Sequence, residues 1–303
     1  MQQAADVVSA VPTKEVPCLL CGRSDPSVMF TEGPWRIVKC RGCRLVYTLP
    51  RLSPEQIKAM YQTAYWQSDR AKDFGYTDYI ADRELYVATY RMRREVITSR
   101  KPAPGRVLDV GSAAGYFLSV MQEIGWECHG IELSEFMAAK SREMFGLPNV
   151  KSGSLLDSTL PEKSFDVVTF WDVIEHLEDP VPHLKKAASL LKDDGILVIE
   201  TQNVESRAAK MLGKRWQHYK FAEHLWHFAP ETAKTLLDRA GLKILENTPK
   251  RGGKKVTFNF IRERVGKIHP VLSVLASPLK LIGRRSLYVN LFDEMLIVAE
   301  KAR

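Results

Sequence analysis

The chain has no apolar run long enough to cross a membrane, and no internal repeat is visible in its 303 residues. Residues 1–17 lack the apolar core of a secretory leader, so the expected setting is cytoplasmic. Cysteine is scarce, five in all, and a cytoplasmic setting disfavours disulfides. Excess charge is also missing from most of the chain. The net charge is +8, yet from Lys250 onward there are 12 basic and 4 acidic side chains, which leaves residues 1–249 neutral. The body of the protein is therefore not a basic nucleic-acid binder, and only the tail has that character.

What the sequence does hold is concentrated at Arg106-Val-Leu-Asp-Val-Gly-Ser-Ala-Ala-Gly-Tyr-Phe117. An apolar, β-branched run ends in an acid, a small-residue loop follows, and an apolar-periodic helix begins near Phe117. Glycine lets the backbone take positive φ and lets a ligand approach the main chain. The helix start offers free N–H groups to a polar or anionic partner. A nucleotide-type cofactor site at the top of a parallel sheet is expected. The spacing Gly111-x-x-x-Gly115, with Ala113 between, is not the dinucleotide pattern G-x-G-x-x-G. Asp109, two residues before Gly111, suits an ammonium group better than a pyrophosphate.

Further strands and helices alternate downstream. Trp126–Leu133 reads as a strand reaching Glu132, and Ser134 as the cap of a helix through Met144. Val150–Asp157, Phe165–Trp171, Gly195–Thr201, Leu242–Glu246 and Glu294–Glu300 read as strands. Pro180–Leu191, with an Asp-Asp-Gly stop, and Pro230–Ala240 read as helices. This alternation implies right-handed βαβ units and a parallel sheet.

The Asp109–Gly115 loop resembles motif I of the class I S-adenosylmethionine (SAM) methyltransferases, D-x-G-x-G-x-G, with Ala113 as a departure. The phrase Phe170-Trp-Asp-Val-Ile-Glu-His-Leu177 resembles the ubiquinone-methyltransferase-like group. The resemblance covers about residues 80–303. It implies a doubly wound, mostly parallel seven-stranded Rossmann-like sheet and a SAM site. That site would draw on Asp109, Gly111, Ser112, Ala113, Gly115, Tyr116, Phe117, Glu132, Leu133, Leu156, Asp157, Trp171 and Asp172. Glu132 would accept the ribose hydroxyls and Asp157 the adenine amino group.

Cys18-x-x-Cys21 and Cys40-x-x-Cys43 lie 18 residues apart, the spacing of a structural four-thiolate zinc site. Disulfides and a redox pair are the alternatives, and Cys128 reads as a packed core thiol. The knuckles and the following Leu45–Pro54 and Tyr61–Trp66 stretches resemble zinc-ribbon-plus-methyltransferase proteins that include sugar methyltransferases. The expected organisation is a ribbon over 1–48, a linker or lid over 49–80, and a methyltransferase domain over 81–303 with insertions at 202–229 and 250–292.

Methyl transfer to a hydroxyl needs a group that takes or masks its proton, and histidine suits that role near neutral pH. His176, His218 and His224 are the candidates, and His227 lies in the same 216–230 segment. Asp172, Glu175 and His176 have i, i+3, i+4 spacing, which on a helix would share one face. They could hold a divalent cation such as Mg2+; an acidic first turn favoured by the helix dipole is the plainer reading. The expected acceptor is a hydroxyl of a sugar, a lipid-linked molecule, or a polyketide- or quinone-like small molecule. In the tail, 250–292, basic residues interleave with short apolar runs at Ile261–Pro270, Val271–Ala276 and Pro278–Arg285. That pattern fits either a helical pair covering the pocket or a peripheral, reversible contact with anionic membrane. Two other functions weigh against the enzyme reading: an RNA methyltransferase, and a non-catalytic scaffold. Nucleic acid is not the expected partner, because the N/D-P-P-Y/F motif is absent after Phe170.

Overall fold

The computed structural model describes residues 14–53, 56, 79–80, 82–262, 277–283 and 285–302. Its elements begin with β1 (Ser27–Glu32), β2 (Trp35–Lys39), β3 (Val46–Leu49) and α1 (Arg83–Thr98). They continue with β4 (Arg106–Val110), α2 (Tyr116–Gln122), β5 (Glu127–Glu132), α3 (Glu135–Phe145), β6 (Val150–Ser152) and β7 (Phe165–Trp171). Then come α4 (Pro180–Leu190), β8 (Leu191–Gln202), α5 (Arg207–Leu212), β9 (Trp226–His227) and α6 (Pro230–Arg239). Last are β10 (Leu242–Thr248), β11 (Lys254–Thr257), β12 (Ser286–Val289) and β13 (Glu294–Lys301).

Seven strands form the central sheet in the order β10-β13-β8-β7-β4-β5-β6. The four pairings from β8 to β6 are parallel, and β13 runs antiparallel to both β8 and β10. Apolar side chains alternate between its two faces. Val107, Val167 and Val198 pack with Phe117 and Ala138 on one side, whereas Leu108, Val168 and Leu197 pack with Leu184 and Leu236 on the other. Covering both faces is what parallel strands require, and the sheet is doubly wound as expected. The caps explain where helices start. Ser134 accepts the Met137 N–H, and Asp179 accepts the Val181 N–H ahead of Pro180.

Three elements differ from their sequence outlines. β6 ends at Ser152, because Gly153 at φ +134° leaves the strand; residues 153–157 form turns. Helix α4 ends at Leu190, and Asp193-Asp194-Gly195 lie in an irregularity where the β7–β8 register passes from Phe165–Leu191 to Val167–Ile196. The insertion after β10 begins and ends in β11 and β12, an antiparallel pair that the sequence outline did not contain. Most of Ile261–Pro270 and all of Val271–Ala276 lie outside the described residues, as do 57–78 of the expected lid. No helix among the described residues is long and apolar enough to cross a membrane.

The N-terminal sheet has the order β1-β2-β3-β9, so its fourth strand comes from the 202–229 insertion. Cys18, Leu20, Val38 and Tyr47 are buried in the same apolar cluster as Leu108 and Val168. The cysteine segment is thus packed into the core of the large sheet.

Candidate active site

Strand β4 delivers Asp109 to the edge of the sheet, and the chain then turns back on β5. Gly111 N–H and Ser112 N–H both donate to the Ile131 carbonyl, at 2.8 and 3.2 Å. Gly111 has φ +74°, and a Cβ there would lie 2.6 Å from Val173. Gly115 has φ +78°, and a Cβ would lie 2.8 Å from both Ser141 and Leu147. Both positions therefore demand glycine on conformation and on space.

Glu132, 5% exposed, is the brace of this loop. Its two oxygens accept the Ala113 N–H and the Ser134 N–H, each at 2.8 Å. It thus fixes Ala113, held at φ +44°, and also lines the cavity. Asp109, buried beside it, accepts a hydrogen bond from the Thr169 hydroxyl at 2.6 Å. Burial pushes the Asp109 carboxyl up to about 8 against the pull of Thr169, and the nearby Glu132 carboxylate adds to the rise. A buried acid with a raised pKa at a cavity edge is poised to receive a cation.

The loop borders a cavity of about 430 Å3. Of the expected cofactor residues, Asp109, Gly111, Ser112, Ala113, Tyr116, Phe117, Glu132, Leu133, Trp171 and Asp172 line it, and so does His176. Gly115 stands behind the loop. Leu156 and Asp157 are both exposed and lie outside the lining; Gly153, Ser154 and Leu155 occupy that part of the wall. The early end of β6 is the reason.

Residues 172–177 form a turn, so the expected common helical face of Asp172, Glu175 and His176 does not exist. Asp172, at φ +53°, separates from the other two. Ligand atoms of Glu175, His176 and His224 instead lie within 4.8 Å of one another, and the His176 and His224 rings meet edge-on at 4.6 Å. One carboxylate and two imidazoles suit a transition-metal ion better than the oxygen-seeking Mg2+. Glu175 Oε1 and His224 Nδ1 are buried without a hydrogen-bond partner among the described groups.

The charge states follow from burial. Desolvation holds His176 down to about 4 despite Glu223, and it lowers His224 well below the usual range with His176 adding to the effect. Glu175 is raised well above the carboxylate range by burial and then by Asp172. Burial alone would raise Asp172 too, but Lys254 and Arg93 hold it below its usual value. His218 stands elsewhere, with Nε2 at 3.5 Å from Asp293 and 3.6 Å from Glu294, and it does not line the cavity. His224 does not line it either, and reaches it only through His176.

Several lining residues escaped the sequence reading. Tyr86, Tyr90 and Arg93 project from α1 at i, i+4 and i+7, a helical face that periodicity could have exposed. Tyr86 stacks on Tyr116 at 5.4 Å, and Tyr90 meets Trp171 edge-on at 5.8 Å. Lys254, Lys255, Val256 and Thr257 of β11, with Phe260, continue this wall, and Lys255 N–H donates to the Thr89 hydroxyl of α1 at 2.9 Å. Lys254 pairs with Glu294 at 2.6 Å, and Arg93 pairs with Glu200 and lies 3.7 Å from Glu294. This buried network ties α1, β8, β11 and β13 together, and no local sequence pattern announces it.

The four cysteines of the N-terminal sheet converge. Their sulfurs lie within 4.8 Å of one another, with Cys18–Cys43 and Cys21–Cys40 at 3.3 Å. None is in a disulfide. A tetrahedral metal with bonds of about 2.3 Å to sulfur sets edges of roughly 3.8 Å, inside this range. The fifth, Cys128, is buried in β5 and packs in the core, as expected.

A family model described as "Methyltransferase domain" matches residues 79–247. The ubiquinone biosynthesis O-methyltransferase of Xanthomonas axonopodis pv. citri (strain 306) is 31% identical over 150 residues, 43% of this chain and 61% of that protein. The chain therefore spans about three fifths of the length of that curated relative. Among solved structures, a SAM-dependent methyltransferase from Archaeoglobus fulgidus aligns at 22% identity and TM-score 0.48, covering 74% of this chain and 99% of that one. The mitomycin 7-O-methyltransferase MmcR aligns at 15% identity and TM-score 0.49, covering 74% and 56%.

Proposed function

This chain belongs to the methyltransferase-domain family, and we propose that it is a SAM-dependent methyltransferase acting on a hydroxyl of a small molecule. The observation that carries this reading is the pair of buried acids at the glycine loop, Asp109 and Glu132, lining a cavity of about 430 Å3, the size of a small-molecule site. Bound there, SAM would supply a methyl group on a sulfonium. Asp109 would meet its ammonium, and Glu132 would offer its free lone pairs to the ribose hydroxyls while keeping its grip on Ala113 and Ser134.

On the acceptor side, His176 and His183 are the cavity-lining imidazoles; His183 sits in α4 with Nδ1 3.1 Å from the Asp179 carbonyl, and burial keeps His176 neutral at pH 7. In a direct displacement His176 would accept the hydroxyl proton as the acceptor oxygen takes the methyl group, the methyl–sulfur bond breaks and SAM leaves as its demethylated thioether. Tyr79, Tyr86, Tyr90, Trp171 and Phe260 in the wall support a planar acceptor over a sugar. The Xanthomonas relative is named for ubiquinone biosynthesis, which agrees with an aromatic acceptor.

The second part of the proposal is that Cys18, Cys21, Cys40 and Cys43 hold a structural zinc ion. The four sulfurs leave no open position for a substrate.

Calorimetry with SAM and its demethylated product, S-adenosylhomocysteine (SAH), tests the cofactor reading; a wild type that binds neither overturns it. A gain of one methyl mass on phenolic acceptors, with none on sugars, tests the acceptor class. Elemental analysis of freshly reduced protein should give about one zinc per chain, and a zinc-free folded protein would contradict that assignment.

A further inference from the structure

The N-terminal sheet reaches the catalytic turn by an unbroken buried chain. Thr48, in β3 between the cysteines and the large sheet, donates its hydroxyl to the His224 carbonyl at 2.8 Å. The same oxygen lies 3.3 Å from His227 Nε2, so that nitrogen carries the ring proton and donates to it. The other ring nitrogen, Nδ1, lies 3.5 Å from Gln202 Nε2, a long contact that would make it the acceptor. Gln202 Oε1 accepts from the Thr201 hydroxyl at 2.8 Å, and that hydroxyl lies 3.0 Å from Glu175 Oε2. Thr48, His227, Gln202, Thr201 and Glu175 are all fully buried.

The backbone runs the same course. Thr48 N–H donates to the Leu225 carbonyl at 3.1 Å, and Leu225 N–H donates to the Glu175 carbonyl at 2.8 Å. Arg51 adds a hydrogen bond to the Leu225 carbonyl at 3.3 Å and lies 3.7 Å over the Trp226 ring. The Trp226 indole N–H in turn donates to the Leu177 carbonyl at 2.9 Å. Residues 224–227 are therefore a strip clamped between β3 on one side and the 175–177 turn on the other. Upstream, Cys40 N–H donates to the Leu45 carbonyl at 2.9 Å, which links β3 directly to the cysteine knuckle. Among the described residues the cofactor-side acids stand apart from this chain: Asp109 accepts from Thr169, and Glu132 accepts from Ala113 and Ser134.

We propose that Thr48 is a positioning residue, through which the four-cysteine sheet braces Glu175 and His224 behind His176, on the wall where, on the reading above, the acceptor hydroxyl is placed. The cysteine cluster is then a support of the acceptor wall and is not needed for the cofactor loop. Partly satisfied buried polar chains have few alternative arrangements, so a missing link should loosen its neighbours.

Three full-length variants test this: Thr48→Val, which keeps the shape and removes the hydroxyl; Thr48→Ser, which restores it; and Cys43→Ser, which weakens the cysteine cluster. Amide exchange by mass spectrometry, histidine ring NMR and SAH calorimetry are read together. Thr48→Val should speed exchange of residues 224–228 and 174–177 about tenfold and shift the His227 and His224 ring signals. Exchange over 108–117 and SAH affinity should stay within about twofold, and Thr48→Ser should recover the wild-type pattern. Cys43→Ser should loosen 224–228 before 108–117. The proposal is overturned if Thr48→Val leaves the 224–228 exchange and ring signals unchanged, or if Thr48→Ser fails to restore them. It is also overturned if loosening of the cysteine sheet spreads to 108–117 as fast as to 224–228. Failure of the methyltransferase reading shows separately, as a wild type that binds no SAH while the exchange pattern holds.

Discussion

The two sides of the cavity are built differently. On one side, Asp109 to Phe117 is a single continuous segment, and one partner strand brings Glu132 to brace it. On the other, the wall is collected from α1, the 172–178 turn and β11, with the 224–227 strip and the N-terminal sheet behind it. A side made from one strand–loop–helix unit is fixed by a few backbone hydrogen bonds and two glycines. A side made from distant segments depends on buried charges and polar chains that fail together when one member is removed. The cofactor side should therefore be robust to change elsewhere in the chain, and the acceptor side sensitive to it.

That contrast can be broken at several points. The largest effect is expected on the acceptor side: His176→Ala should cut methyl transfer to a phenolic acceptor by roughly 10²–10⁴-fold. SAH affinity should change by no more than a few fold. Equal losses in both would mean that His176 serves the cofactor side.

Next comes Glu132→Ala. It orphans two buried N–H donors, Ala113 and Ser134, each expected to cost about 1–3 kcal/mol. Thermal unfolding should show a clear loss of stability together with weaker SAH binding. Weaker binding at unchanged stability would leave Glu132 a ligand contact and remove its bracing role.

A smaller, graded effect is expected with pH. Free Asp109 keeps its proton up to about pH 8, whereas a bound ammonium favours the ionised form, so binding releases a proton. SAH affinity should rise by up to about tenfold per pH unit between pH 6 and 8 and level off above, and Asp109→Asn should flatten the slope. A flat wild-type profile would place the ammonium elsewhere.

The smallest effect concerns the basic segment 250–292. Co-sedimentation with anionic vesicles should be weak, sensitive to salt, and reduced by Arg284→Glu with Arg285→Glu. Tight, salt-insensitive binding would contradict an electrostatic contact, and no binding at low salt would leave β11 as a pocket wall alone.

The sequence by itself determined whatever is local in the chain. Strand β7 falls at Phe165–Trp171 as read, and β4, β5 and β13 lie within a residue or so of their outlines, because apolar periodicity, caps and glycines act over a few residues. The glycine loop was legible for the same reason, and so were the paired Cys-x-x-Cys knuckles. Asp157 shows the limit: its strand outline ran on past Gly153, whose φ of +134° turns the chain away. Only the tertiary structure decided that Asp172 leaves Glu175 and His176 and that His224 joins them from some fifty residues away. It alone put His218 against Asp293, Lys254 against Glu294, and Thr48 against His224. A buried charge or hydroxyl must find its partner across the fold, and the identity of that partner depends on which elements pack together, which no spacing within one segment records.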